Sequence, residues 1–206
     1  MSAGESRVLA AAVELFSQRG FHGTSTRALS EQAGMGLASM YHYFPSKYDM
    51  LVRILDDVMT GLFSACQSAL VRASDDPADR LDAIVRAHCD FHTYRQKESF
   101  ITNTEMRALT ETDRRQHIAA RDRHQRMFDA VVLDGVERGA FLTPYPVEAS
   151  RAIVTMTTAV ANWFRPKGPL SPAEVADRYA ILALAQVEAV PPARTRAGRP
   201  DEKKEA

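Results

Sequence analysis

The side chains best equipped for chemistry fall in two groups. The first lies within 26–47, where Thr26, Arg27, Ser39, Tyr41, His42, Tyr43 and Lys47 bring hydroxyl, imidazole and cationic groups into a short span. Such groups suit hydrogen bonding to phosphate oxygens and base edges rather than covalent catalysis. The second is His88 with His92, four apart and therefore on one helix face, with Cys89 between them and Glu105 and His124 further on. That spacing is one that transition metals use. No dense Cys/His cluster accompanies it, and packing with satisfied polar groups explains the pair as well. Neither group supplies a nucleophile with its base, and no phosphate-binding glycine loop or metalloprotease helix is present. The sequence therefore reads as a non-enzyme with no cofactor and no resident metal.

Both groups must be positioned by helices. The stretch 26–47 divides into a short helix whose buried edge is Leu29 and Ala33, a turn at Gly34-Met35-Gly36, and a second helix from Leu37 to Phe44. Thr26 is the expected cap of the first of these helices, with Thr24 and Ser25 as further capping hydroxyls. Glycine supplies the turn because it reaches positive φ without steric cost. In the second helix Met40 and Phe44 face inward, which leaves Ala38, Ser39, Tyr41, His42 and Tyr43 outward. A helix that starts with small residues and continues with hydrogen-bonding aromatics suits a DNA major groove. A helix over 5–19 precedes this pair, with Val8, Ala12, Leu15 and Phe16 on its apolar face and Gly20 at its end.

Downstream, Pro45 stops the third helix and Ser46 with Asp49 opens a long fourth helix to about residue 72. Its broad apolar face runs from Leu51 through Ile54, Leu55, Val58, Met59 and Leu62 to Phe63, so it is the expected lever between two bodies. Five more helices follow at about 77–95, 98–109, 113–138, 146–164 and 171–190, and the segment 142–146 between two of them is a stiff linker. Pro77 starts one helix, and Ser171 with Glu174 forms a capping box at another. From 191 to 206 the composition becomes rich in Pro, Arg, Lys and Glu with no apolar period, the signature of a disordered tail. The expected fold is all-α with about nine helices. A helix-turn-helix domain spans 1–50 and a ligand-binding and dimerisation bundle spans 51–190.

Charge and cysteine usage bound the function further. Lys and Arg number 26 against 26 Asp and Glu, so no general basic field draws the protein to nucleic acid. DNA contact must rest on a few placed groups and helix N-termini. Two cysteines, Cys66 and Cys89, are too few for a disulfide scaffold and fit a reducing cytoplasm. No signal peptide is visible and no apolar run reaches the roughly 18 residues that span a bilayer, so no membrane partner is expected.

The run Gly20-Phe21, Thr24-Ser25-Thr26-Arg27, Ala33-Gly34, Met40-Tyr41-His42-Tyr43-Phe44 and Ser46-Lys47 resembles the TetR family of transcriptional regulators over residues 7–51. Beyond that the similarity is mainly architectural. One segment, from Trp163-Phe164-Arg165-Pro166 to Tyr179, is similar to a subgroup that includes regulators of lipid and steroid breakdown. The resemblance implies that three helices bind an operator and a fourth connects them to an effector-binding domain. It also implies a homodimer through the last two long helices. It puts Thr26, Arg27, Ser39, Tyr41, His42, Tyr43 and Lys47 at the DNA. Leu37 and Ala38 stand where the family often has lysine and glycine, which leaves little charge on the recognition helix. Of these residues Thr26, Tyr41 and Lys47 suit phosphates, and Ala38, Ser39 and His42 suit base edges. Packing within the small domain is the competing role for Tyr41 and Tyr43, and a solvated surface charge is that for Arg27.

The second body is expected to hold a small-molecule effector between its helices. Candidate lining residues are His88, Phe91, His92, Asn103, Met106, His124, Phe128 and Trp163. Their mixture of aromatics, methionine and scattered polar groups favours an organic effector with apolar bulk, an acyl-CoA or another lipid or aromatic metabolite. The leading expectation is a homodimeric repressor released from a palindromic double-stranded operator by that effector. A metal-responsive regulator of the same fold and a carrier without DNA binding are the alternatives.

Overall fold

The computed structural model describes residues 2–190; the segment 191–206, expected to be a disordered tail, lies outside the described residues. The described residues are helical throughout except for connections and one isolated bridge between Phe141 and Ala189. Three helices form the N-terminal unit: α1 (Ala3–Arg19), α2 (Thr26–Gln32) and α3 (Leu37–Tyr43). α1 begins ahead of the expected start because Ser2 and Glu5 make a reciprocal capping box, satisfying two otherwise orphaned amides. At α2 the cap is Ser25, whose hydroxyl accepts from the Ala28 amide at 3.1 Å, and Thr26 is the first helical residue. The expected Thr26 cap is thus displaced by one position, because Ser25 holds the extended backbone a cap requires.

The turn between α2 and α3 is a Schellman motif. The Gly34 amide donates to Glu31 and the Met35 amide to Ser30, both at 3.1 Å. Gly34 sits at φ 63°, in the left-handed region this motif demands. Of α3 only Met40 is buried. It joins Leu29, Phe16 and Phe44 in one core, so the outward face of α3 is left to solvent.

α4 (Lys47–Arg72) carries the chain out of this unit, followed by α5 (Pro77–Tyr94) and α6 (Gln96–Thr104), which ends in a 3-10 turn over Glu105–Ala108. α7 (Glu111–Glu137), α8 (Pro146–Thr158), the short α9 (Val160–Trp163) and α10 (Pro172–Gln186) complete the bundle. The helix expected over 146–164 is divided at Ala159. Side chains of α6 take the carbonyls around the break, Asn103 donating to Thr158 at 3.4 Å and Gln96 to Ala161 at 2.6 Å. α10 stops at Gln186 rather than near 190. The Val187 carbonyl accepts the Leu142 and Thr143 amides and Val190 donates to Ala140, which ties the α7–α8 connection to the end of the chain's last described helix.

Two apolar cores result, and α4 belongs to both. Met50, Leu51, Ile54 and Leu55 pack with α1–α3, whereas Leu62 and Cys66 pack with α5, α7 and α10. α4 has the length and mean hydropathy of a bilayer-crossing segment, but Met50, Leu51, Ile54, Leu55 and Leu62 of its apolar face pack into these cores while Phe63 and Val71 stay exposed, and Arg53 pairs with Glu5 and Asp57 on its surface. α6 also crosses the boundary, since Ile101 is fully buried in the N-terminal core.

Candidate nucleic-acid interface and internal cavity

The exposed face of the N-terminal unit is built from α3 and the start of α2. Leu37, Ala38, Ser39, Tyr41 and His42 are all exposed because the buried Met40 fixes the rotation of the helix. Ser39 and His42 are one turn apart and share a face. Tyr43 is outward yet not free, because its ring lies over the backbone of Gly4, where a Cβ would come within 2.2 Å of the phenol. It therefore packs α3 against the first turn of α1 while 38% of its surface stays exposed. Thr26 is half-buried, and Arg27 pairs with Glu31 at 3.0 Å in full solvent. An exposed pair of this kind contributes little and exchanges readily for a phosphate.

Lys47 is placed differently from a plain surface cation. Its ammonium donates to the carbonyls of Phe21 at 2.9 Å and Thr24 at 2.8 Å and stands 4.5 Å from the centre of the Phe21 ring. It thereby clamps the connection that leads into α2. Thr24, buried beneath it, donates to the Gly20 carbonyl at 2.9 Å, which closes the end of α1.

The bundle holds a half-open cavity of about 540 Å³ between α4, α5, α6, α7 and α8, within the size range of small-molecule sites. Four of the eight expected lining residues reach it: His88, His92, Asn103 and His124. The other four do not. Phe128 is fully buried behind the cavity, its ring edge-on to His88 at 5.4 Å. Phe91 packs under the Arg95 guanidinium and against Gly61 at the α4–α5 crossing. Trp163 stacks on Tyr179 at the surface, a consequence of the break at Ala159 that turns α9 away from α8. Met106 lies in the 3-10 turn with its sulfur 3.2 Å from Arg121.

The cavity also takes residues not anticipated from the sequence, notably Ser99, Thr102, Arg121 and Arg151. A signal existed for two of these helices. Positions 117, 121, 124, 128 and 131 of α7 form one stripe at alternating spacings of four and three, so Arg121 shares a face with His124. Arg151, Val154, Thr155 and Thr158 make a similar stripe on α8.

The three imidazoles of the cavity cluster tightly. His88 meets His92 edge-to-face at 4.5 Å and stacks on His124 at 4.9 Å. Burial, the His124 ring and the Arg121 charge push His92 down to about 3, and burial with Arg121 lowers His124 to about 4. Burial and the two neighbouring imidazoles hold His88 well below the ordinary histidine value. Burial raises the Cys66 and Cys89 thiols to about 12, so both are inert at neutral pH. Among the described residues no three of the His, Cys, Asp and Glu side chains are arranged to hold a metal ion. The i, i+4 pair His88/His92 lines the cavity with its rings edge-to-face.

Known proteins share this fold. The family of bacterial regulatory proteins called tetR matches residues 8–54, and the tetracyclin repressor-like C-terminal domain matches residues 74–187. The chain is 30% identical over 183 residues to the HTH-type transcriptional repressor KstR2 of Mycobacterium tuberculosis (strain ATCC 25618 / H37Rv), covering 88% of this chain and 90% of that relative. The TetR family transcriptional regulator PfmR from Thermus thermophilus superposes with a TM-score of 0.81 at 32% identity, over 87% of this chain and 97% of that one. AibR in complex with isovaleryl coenzyme A and operator DNA shares the fold with a TM-score of 0.79 at 22% identity, over 91% of this chain and 100% of that one.

Proposed function

Because the chain belongs to the TetR family of transcriptional regulators, we propose that it is a cytoplasmic homodimeric repressor that leaves a palindromic operator when a small organic effector fills the cavity. The observation that carries this reading is the double membership of α4 and α6. α4 places Met50, Leu51 and Ile54 in the N-terminal core and lines the cavity with Val58, Met59 and Leu62. α6 does the same with Ile101 on one side and Ser99, Thr102 and Asn103 on the other. A ligand that separates these helices changes the tilt of the recognition unit. It shifts the equilibrium only by its differential affinity for the two tilts.

In the DNA-bound state α3 enters the major groove. Ala38, Ser39 and His42 face base edges, while Thr26, Arg27, Tyr41 and Tyr43 contact the backbone, and Leu37 fills the groove wall. Lys47 holds the α1–α2 connection at the height that presents Thr26 and Arg27. Two such units on one duplex need recognition helices about 34–36 Å apart. The surface for that pairing is α8 and α10, where Val147, Ile181 and Leu182 are among the exposed apolar side chains. Apolar residues exposed on two long helices suit a helix-on-helix seam between two copies.

The effector class follows from the cavity. Arg121 and Arg151 stand at it, two cations against the single carboxylate of Asp122, and Val58, Met59, Leu62 and Val154 give it an apolar body. An amphiphile with an acidic head fits both, and acyl-CoA thioesters are the class we favour. AibR, bound to isovaleryl coenzyme A, is a precedent within the fold.

A gel shift tests the reading. The protein should retard DNA from upstream of its own coding region at low salt, and saturating octanoyl-CoA should release it. Absence of retardation removes the regulator reading. Retention of DNA with octanoyl-CoA bound removes the allosteric one.

A further inference from the structure

The wall formed by α5 and α6 carries more unpaired polarity than its burial allows. His88, His92 and Ser99 are 0%, 3% and 0% exposed, yet both ring nitrogens of each histidine and the serine hydroxyl lack any hydrogen-bond partner among the described residues. All three side chains line the cavity. A buried polar atom left unpaired is costly to the fold, and folds carry few of them without a functional reason. Five such atoms on one wall point to a bound group. His124 adds a third imidazole, with Nε2 3.5 Å from the Cys66 sulfur.

The chemistry of that group follows from the charge state of the wall. Burial keeps these imidazoles neutral at physiological pH, and a neutral imidazole has one donor and one acceptor nitrogen. The wall therefore offers donors and acceptors together with no net charge. An alkyl end placed here leaves all five atoms unpaired. A carboxylate loses its hydration against a wall of neutral rings, and Arg121, whose charge reaches His92 and His124, is itself exposed. A hydroxyl both donates and accepts, and a carbonyl oxygen accepts from the imidazole N–H and the serine hydroxyl.

We propose that His88, His92 and Ser99 form a specificity wall that binds an uncharged oxygen, a hydroxyl or carbonyl, carried on the apolar part of the effector. The inference rests on the effector reading given above and adds the functional group by which one acyl chain is told from another. A site built around a hydrogen-bonding group rejects the analogue that lacks it far more strongly than an apolar pocket rejects a missing methylene.

Titration calorimetry on the full chain tests it with octanoyl-CoA, 8-hydroxyoctanoyl-CoA and octanedioyl-CoA. The expected result is 8-hydroxyoctanoyl-CoA binding at least about tenfold more tightly than octanoyl-CoA, the size of one net hydrogen bond. His92→Phe, which keeps the packing of an aromatic ring, should bring that ratio close to one, and Ser99→Ala should lower it. Equal affinities in the wild type overturn the proposal, as does a ratio unchanged in both variants or tightest binding of the dicarboxylic thioester. Octanoyl-CoA that binds and releases DNA without a hydroxyl preference leaves the effector reading standing and removes the wall. Failure of all three thioesters to bind removes both.

Discussion

Tyr48, in the first turn of α4, donates its phenol to the Asp113 carboxylate in the first turn of α7 at 2.5 Å. The same phenol accepts the Thr110 amide at 2.8 Å. Asp113 also accepts the Thr110 hydroxyl at 2.7 Å, and that hydroxyl caps α7 through the Asp113 amide. One side chain of the DNA-proximal helix is thus built into the cap of the helix that carries His124 and Arg121. This polar latch sits beside the apolar bridges of α4 and α6 and gives the recognition unit a fixed reference against α7.

Removing the latch should loosen the coupling between cavity and DNA. Tyr48→Phe is expected to cost about 0.5–1.5 kcal/mol of stability, the net worth of an ordinary hydrogen bond. It should also reduce the fold-change in operator affinity that octanoyl-CoA produces. Operator titrations by fluorescence anisotropy, with and without the thioester, read this directly. An unchanged ratio of the two affinities places the coupling entirely in the apolar contacts of α4 and α6.

The latch has a pH signature. Hydrogen bonds from Tyr48 and Thr110 hold the Asp113 carboxyl below the ordinary aspartate range. A group depressed in the folded state adds stability above its unfolded value, near 3.9, and loses it as pH falls through the lower folded value. The stability gap between the wild type and Asp113→Asn should therefore be constant from about pH 8 to 5 and close below about pH 4. Urea unfolding across that range measures it, and a gap that instead grows towards acid pH contradicts the assignment.

Lys47 gives a prediction in which structure and DNA binding separate. Its ammonium already serves two carbonyls and the Phe21 ring. Lys47→Ala should lower the melting temperature and weaken operator binding, with a change in the slope of log affinity against log salt well below the ~0.9 of one phosphate contact. A slope change near one unit per protomer, with unaltered stability, would move Lys47 from the clamp to the phosphate backbone.

The difference between what the sequence discloses and what it hides follows from contact range. Gly34, Leu29, Met40 and Phe44 were legible because turn chemistry and the 3.6-residue period are local. The partners of Lys47 lie 23 and 26 positions away and no period reports them. Ile101 reads as one more apolar residue of a short irregular helix, and only packing shows that it belongs to the N-terminal core. In the cavity, helical spacing put His88 and His92 on one face but could not say whether that face met a metal, a core or a space. The break at Ala159 carries no Gly or Pro signal; Asn103 and Gln96 compensate its carbonyls from a different helix. Trp163 was misplaced for that reason.

The turn at Gly34 separates conformational strain from steric fit. A Cβ there meets nothing within 4 Å, but the residue sits at φ 63°. Gly34→Ala should cost about 1 kcal/mol, from the left-handed conformation alone, which lowers the melting temperature by about 2–4 °C in a chain of this size. Gly36 also has open space around a Cβ but sits at φ −67° as the N-cap of α3, where glycine is preferred to alanine, so Gly36→Ala should lower the melting temperature by less than Gly34→Ala. Thermal melting of the pair decides the matter, since a steric origin would predict no effect at either position.

His117 offers the cleanest pH test of the bundle because it stands apart from the cavity. It is buried on α7 with both ring nitrogens unpaired among the described residues. Burial and the Arg121 charge lower it to about 4. Between that value and the unfolded value near 6.5, the unfolded chain binds a proton that the folded chain does not. Stability therefore falls as pH drops through this window, at up to about 1.4 kcal/mol per pH unit for one histidine. Replacing the ring with a neutral aromatic one of similar size, His117→Phe, should remove about 1 kcal/mol of the loss between pH 7 and pH 5.5. The comparison needs urea unfolding of both proteins at the two pH values. If the wild type and variant lose stability in parallel, His117 titrates in the folded protein as it does in water, and the acid sensitivity belongs to His88, His92 and His124 alone.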